Sequence, residues 1–157
     1  MQDRITELIE RFQLIEHPEG GFYSEEYRSE ITLPDSDRQL MTSIYFLLPS
    51  EHVSKFHRIK SDELWFFHEG SPLSVHTLDE SGHTEHLVGL NLNKGHSPQF
   101  LVKANTIFGS SLNAENSYSL VSCVVAPGFD FKELEMFTAE ELLQEFPESR
   151  GIIEKLT

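Results

Sequence analysis

From Phe22 to Val125 the chain is cut into short apolar or alternating runs, each ended by a turn-forming break. Leu73–Leu78, Glu85–Leu90, Gln99–Val102, Thr106–Ser110 and Tyr118–Val125 read as strands. The breaks between them are Asp79-Glu80-Ser81-Gly82, Asn93-Lys94-Gly95, Ala104-Asn105 and Asn113 to Ser117. They hold the residues that turns favour. Many short strands with such punctuation predict an all-β antiparallel sandwich or barrel.

The flanks are different. Ile5, Leu8, Ile9 and Phe12 fall at helical spacing within Asp3–Gln13, with Asp3 as a candidate N-cap. His17-Pro18-Glu19-Gly20-Gly21 reads as a tight turn, and Phe22–Arg28 alternates as a strand with Tyr23, Glu25 and Tyr27 on one face. Residues 29–39 read as a loop, either a lid or a variable connection. Leu40–Leu48 is a strand apolar on both faces, stopped by Pro49. Beyond Phe131, Thr138 and Glu141 have capping-box spacing and open a short helix through Phe146, and Glu148–Leu156 adds a further helical turn or two. The chain therefore divides into an N-terminal helix (1–16), a β-barrel (17–131) and a helical tail (132–157) within one domain.

Charge narrows the partners. The formal net charge is −14, concentrated at the two ends. Such a surface repels phosphate backbones, so nucleic acid is not an expected partner. No apolar run reaches membrane-spanning length. The first residues lack the basic start and apolar block of a secretory signal. Cys123 is the only cysteine, which excludes an internal disulfide and points to a cytoplasmic setting.

The candidate chemistry lies in Lys55–Gly70. If both halves of this stretch are strands, His57, Ile59, Glu63, Trp65 and Phe67 share a face. One imidazole and one carboxylate then stand among hydrocarbon, where a charge is costly unless something pairs with it or uses it. His57 is either a core histidine bonded to Glu63 or a cavity residue. Trp65 and Phe67 read as barrel wall or as a stacking surface. Ser43 and Tyr45 share a face of the Leu40–Leu48 run; if it points inward, Tyr45 is the candidate acid. Gln99 is a candidate orienting amide and Glu25 a further candidate carboxylate. His83 and His86 show no ligand-like grouping, and Cys123 reads as a small buried hydrophobe.

The stretch resembles the first motif of the cupin superfamily. His57 takes the motif's first histidine, Ile59 its second, Glu63 its glutamate and Gly70 its closing glycine, while Glu51 stands at the opening glycine. The second motif falls on residues 97–112, with Lys103, Asn105, Phe108 and Leu112 replacing proline, glycine, the ligand histidine and asparagine. His17-Pro-Glu-Gly-Gly-Phe-Tyr23, Ser43–Leu48, Phe56-His-Arg58, Asp62-Glu-Leu-Trp65 and Ala126-Pro-Gly-Phe-Asp-Phe131 are together similar to a small, uncharacterised single-domain branch of that superfamily.

The resemblance implies a double-stranded β-helix, or jelly roll, assembled as a homodimer or larger oligomer. It also implies a divalent metal in members that keep three histidines and a glutamate. Here Ile59 and Phe108 occupy two of those four places, so no cofactor is expected, and any metal would have only His57 and Glu63. The branch has been likened to deoxysugar nucleotide epimerases, which work without a metal.

The expected function is then a small polar metabolite held in the barrel. One reading is a sugar or sugar-nucleotide isomerase with His57 as base, Glu63 orienting it and Tyr45 as acid. Ser43, Trp65, Phe67, Gln99, Phe108 and Glu25 would contact the substrate. The others are a non-catalytic sensor or carrier and a metal-dependent enzyme.

Overall fold

Alternation decides which side chains meet in the interior, and in the central strands it gives two apolar faces with different partners. The computed structural model describes all residues, Met1–Thr157. The chain runs α1 (Gln2–Phe12), β1 (Ile15–Glu16), β2 (Phe22–Arg28), β3 (Thr42–Pro49), β4 (Ser54–Arg58) and β5 (Asp62–Gly70). It continues β6 (Leu73–Asp79), β7 (Gly82–Val88), β8 (Gln99–Val102), β9 (Ile107–Leu112), β10 (Tyr118–Ala126), β11 (Glu135–Met136), α2 (Ala139–Glu145) and α3 (Arg150–Lys155). Two sheets form, in the orders β1-β2-β3-β10-β5-β8 and β11-β4-β9-β6-β7. Their strand pairings are all antiparallel. This is an antiparallel two-sheet barrel, as the strand pattern predicts, in the jelly-roll form that the resemblance implies.

The inner faces of both sheets make the main core, with Phe46, Leu48, Trp65, Val75, Phe108 and Val121 among its buried members. The outer faces are apolar as well. Leu47 and Leu120 look outward and are covered by Ile5 and Leu8 of α1. Phe56, Leu78 and Ile107 look outward on the other sheet and are covered by Leu142, Ile153 and Leu156. Burying a side chain of this size stabilises the fold by roughly 1.5–3 kcal/mol. This second covering layer explains the two-sided apolar run at Leu40–Leu48: Thr42, Ile44, Phe46 and Leu48 face in, whereas Ser43, Tyr45 and Leu47 face α1.

Local chemistry sets the boundaries. The α2 capping box forms, with Thr138 Oγ accepting the Glu141 N–H at 3.3 Å and Glu141 Oε2 accepting the Thr138 N–H at 2.8 Å. Asp3 lies in the first turn of α1 and not at its N-cap, which is Met1. Glu85–Leu90 is extended backwards to begin at Gly82, because Asp79 pairs with Gly82 and leaves only Glu80 and Ser81 in the turn. The 29–39 connection is held down. Thr32 bridges to Gln39, and Arg38 Nη2 donates to Ser61 Oγ at 2.7 Å and to Gly128 O at 2.6 Å. No helix is long and apolar enough to cross a membrane.

Candidate active site

Two glycines fold the segment after β1 against the barrel. Gly20 has φ +109°, and a Cβ there would stand 2.0 Å from Val53 O. Gly21 has φ +76°, and its Cβ would meet the Phe46 ring at 2.9 Å. Only glycine allows both the left-handed backbone and this approach. The turn closes through His17 N–H to Gly21 O and Gly20 N–H to His17 O, both 2.9 Å. Lys55 N–H then donates to Glu19 O at 2.7 Å and docks the turn on β4. Glu19 is thereby carried into the protein interior, where it is 7% exposed.

Glu19 is the partner of His57. Its Oε2 lies 2.9 Å from His57 Nε2, and its Oε1 accepts the Ser54 hydroxyl at 3.0 Å. The other imidazole nitrogen, Nδ1, lies 2.6 Å from Lys55 O. Both ring nitrogens thus face acceptors, an arrangement that suits the doubly protonated ring. Burial works against that imidazolium, but the Glu19 charge and hydrogen bond, with the Lys55 carbonyl, outweigh it and raise the His57 pKa. Burial likewise penalises the Glu19 carboxylate, yet His57, His17 and Ser54 hold its pKa below the usual value.

His17 is different. Its Nδ1 accepts the Glu19 N–H at 3.2 Å, so the proton of the neutral ring sits on Nε2. Burial lowers its pKa, against the pull of Glu19. Its Nε2–H has no protein acceptor.

Glu63 stands 8% exposed on β5 with no nitrogen or oxygen donor bonded to its carboxyl group. Burial pushes its pKa up to about 7, and the Glu19 charge pushes the same way; His57 and the Cys123 thiol pull it down only in part. The same contact makes Cys123 more than a filler, because burial and Glu63 together raise its thiol pKa well above normal.

His17, Glu19, His57 and Glu63 line one cavity of about 280 Å³ bounded by β1 to β5, β10 and the segment after β10. Ile44, Ile59 and Val125 supply apolar wall. Tyr23, Phe129 and Phe131 supply aromatic surface, with His17 and Tyr23 ring centroids 4.6 Å apart and those of Phe129 and Phe131 4.9 Å apart. Glu25 also reaches the cavity while its carboxylate is paired with Arg28 at 2.8 Å.

Of the residues singled out in the sequence, His57, Glu63 and Glu25 come together here. Tyr45 and Ser43 do not, because the inward positions of β3 are Thr42, Ile44 and Phe46. The Tyr45 ring packs against Phe12 of α1, 4.5 Å between centroids. Trp65, Phe67 and Phe108 belong to the core between the sheets. Trp65 is edge-on to Phe46 and Phe108, so the barrel-wall reading describes it. Gln99 is exposed on β8. Glu63 does not orient His57; Glu19 does. Glu19, His17, Tyr23, Phe129 and Phe131 were legible only as parts of the His-Pro-Glu-Gly-Gly-Phe-Tyr and Ala-Pro-Gly-Phe-Asp-Phe segments.

A divalent metal does not fit this donor set. At the four positions where metal-binding cupins place ligands, Ile59 and Phe108 offer only hydrocarbon, and the Phe108 ring lies 4.2 Å from that of His57. His57 is already bonded at both nitrogens. No three His, Cys, Asp or Glu side chains converge as a metal site.

Two antiparallel sheets closing on a cavity that carries a histidine–glutamate pair and a lone buried glutamate define a jelly-roll barrel with ionisable groups in its interior. The chain belongs to the cupin superfamily: residues 6–137 match the family described as Cupin superfamily (DUF985). It is similar to the solved structure of protein SO0799 from Shewanella oneidensis, with 45% identity and a TM-score of 0.90 over 96% of this chain and 95% of that one. A hypothetical protein from Leishmania major is 37% identical with a TM-score of 0.90, covering 97% of each chain. Uncharacterized protein YML079W of Saccharomyces cerevisiae is 27% identical, covering 89% of this chain and 78% of its own. None of these names assigns a reaction.

Proposed function

We propose that the cavity is the active site of a small-molecule isomerase that works by proton transfer, with Glu63 as general acid–base. The observation that carries this reading is Glu63 itself: a buried carboxyl group facing the cavity, without a nitrogen or oxygen donor, its pKa pushed up to about 7 by burial. A group with that ionisation accepts and returns protons at neutral pH, which is what general acid–base catalysis needs. His57 is less suited to be the base, since Glu19 and Lys55 O occupy both its nitrogens. It serves as the counter-ion that holds Glu19 in place.

The reaction class follows from these roles. Glu63 takes a proton from a carbon beside a carbonyl, breaking C–H and forming the carboxylic O–H. The electron pair moves onto the carbonyl oxygen, where the His17 Nε2–H is available as a donor. Return of the proton from Glu63 to the former carbonyl carbon, with the neighbouring hydroxyl giving up its proton to the carbonyl oxygen, interchanges the two groups and consumes no co-reactant. The cavity is small for a nucleotide sugar and lacks Lys and Arg for a diphosphate, so a compact substrate is favoured over the sugar-nucleotide one.

The test is solvent exchange. The purified protein in D₂O is incubated with hydroxyacetone, and deuterium incorporation is followed by proton NMR. Enzyme-dependent incorporation that disappears in Glu63→Gln and survives in Tyr45→Phe is expected. Incorporation that persists undiminished in Glu63→Gln would exclude Glu63 as the base.

A further inference from the structure

We infer that the ligand of this cavity is a small organic cation, a compound bearing an amine on an apolar body, and not an acid or a phosphate ester. The inference rests on the proposed use of the cavity as a substrate site and concerns what that site selects.

Charge is the first observation. No Lys or Arg lines the cavity, whereas Glu19, Glu25 and Glu63 all do. Two of these are already matched inside the protein. Glu19 is neutralised by His57 at 2.9 Å and Glu25 by Arg28 at 2.8 Å. Glu63 has no cationic partner of its own, although it is 8% exposed. An unmatched carboxylate in a buried place is stabilised by whatever positive charge a ligand brings. An anionic ligand would meet that same carboxylate and no cation free to receive it.

The aromatic surface is independent of the carboxylates and points the same way. Tyr23, Phe129 and Phe131 line the cavity, and the rings of Phe129 and Phe131 stand nearly perpendicular, at 84°. His17, held neutral by its bond from the Glu19 N–H, meets Tyr23 edge to face at 4.6 Å and lies 6.2 Å from Phe131. Aromatic rings attract an ammonium group through their faces and do nothing comparable for a carboxylate. The volume of about 280 Å³ sets the size: room for one compact molecule.

Three probes share one body and differ in charge: benzylamine, benzyl alcohol and benzoate. Their affinities are measured by isothermal titration calorimetry at pH 8, where Glu63 is ionised and benzylamine is still a cation. Benzylamine is expected to bind at least about tenfold more tightly than benzyl alcohol, which corresponds to one buried charge contact, and benzoate weakest of all. Glu63→Gln removes most of the preference for the amine. Phe131 is half exposed, so Phe131→Leu keeps the fold and is expected to weaken benzylamine by about three- to tenfold with little effect on benzyl alcohol. Benzoate binding as tightly as benzylamine, or an amine preference untouched by both substitutions, overturns the inference. Exchange into hydroxyacetone is read separately. Amine preference without any exchange would leave this inference standing and remove the isomerase reading, whereas exchange without amine preference would do the reverse.

Discussion

Replacing Glu63 by glutamine should change stability by an amount that depends on pH, and the size can be worked out. Glu63 ionises at 4.5 in an ordinary setting and at about 7 in the folded protein. At about 1.4 kcal/mol per pH unit, the difference corresponds to about 3 kcal/mol. The sign follows from which state holds the proton more tightly. The folded protein does, so Glu63 is harmless below pH 4.5 and its stabilising proton is lost as the pH rises through 7. Above pH 7.5 the folded state therefore carries a buried carboxylate at a cost of about 3 kcal/mol. Glutamine has nearly the same shape and no charge. Glu63→Gln should thus gain up to about 3 kcal/mol relative to wild type at pH 8 compared with pH 4.5, whatever constant cost the amide itself imposes. Urea unfolding of both proteins at the two pH values measures this double difference. An equal effect of the substitution at both pH values would refute the argument, because it would mean that Glu63 has the same affinity for its proton in the folded and unfolded chains.

Two other substitutions probe the parts around it. Glu19→Gln removes the counter-charge of a fully enclosed imidazolium and should cost about 3–5 kcal/mol in urea unfolding, with the His57 pKa falling as seen by histidine NMR titration. Tyr45→Phe should leave both deuterium exchange and probe binding unchanged and alter stability by less than about 1 kcal/mol, since the Tyr45 ring lies under α1 and away from the cavity.

Much of this molecule can be read from the order of its residues. Short strands separated by Gly, Asn and Asp breaks lead to the two-sheet barrel, and Thr138 with Glu141 marks the start of α2. His57 on one sheet and Glu63, Trp65 and Phe67 on the other do not share a face, but all point into the interior between the sheets, because period-two alternation within each strand needs only local backbone geometry. What was hidden is whatever depends on a third layer or a distant loop. The two faces of β3 look alike in sequence because one meets the core and the other meets α1; Tyr45 cannot be oriented without knowing that. Glu19 was hidden for another reason. Its turn was read as punctuation, since Pro and paired Gly announce a turn without saying what it leans on. Only the close approach of Gly20 to Val53 O and of Gly21 to Phe46 turns that punctuation into a device for inserting a carboxylate beside His57. The role that a local reading gives to Glu63 belongs to Glu19, carried in by the turn after β1.

The backbone of β4 has one more consequence. Lys55 N–H is bonded to Glu19 O, and the next amide, Phe56 N–H, is bonded to Leu156 O at 2.8 Å. The strand that presents His57 is thus laced to a segment that precedes it in the chain and to one that is made long after it. While a nascent chain is still short of residue 156, the Phe56 amide lacks its acceptor, and Phe56, Leu78 and Ile107 lack Leu142, Ile153 and Leu156 to cover them. The wall behind His57 is finished only after the tail has emerged. Until then this protein presents a sticky apolar sheet face, the kind of surface that holdase chaperones shield and that aggregates when synthesis stalls.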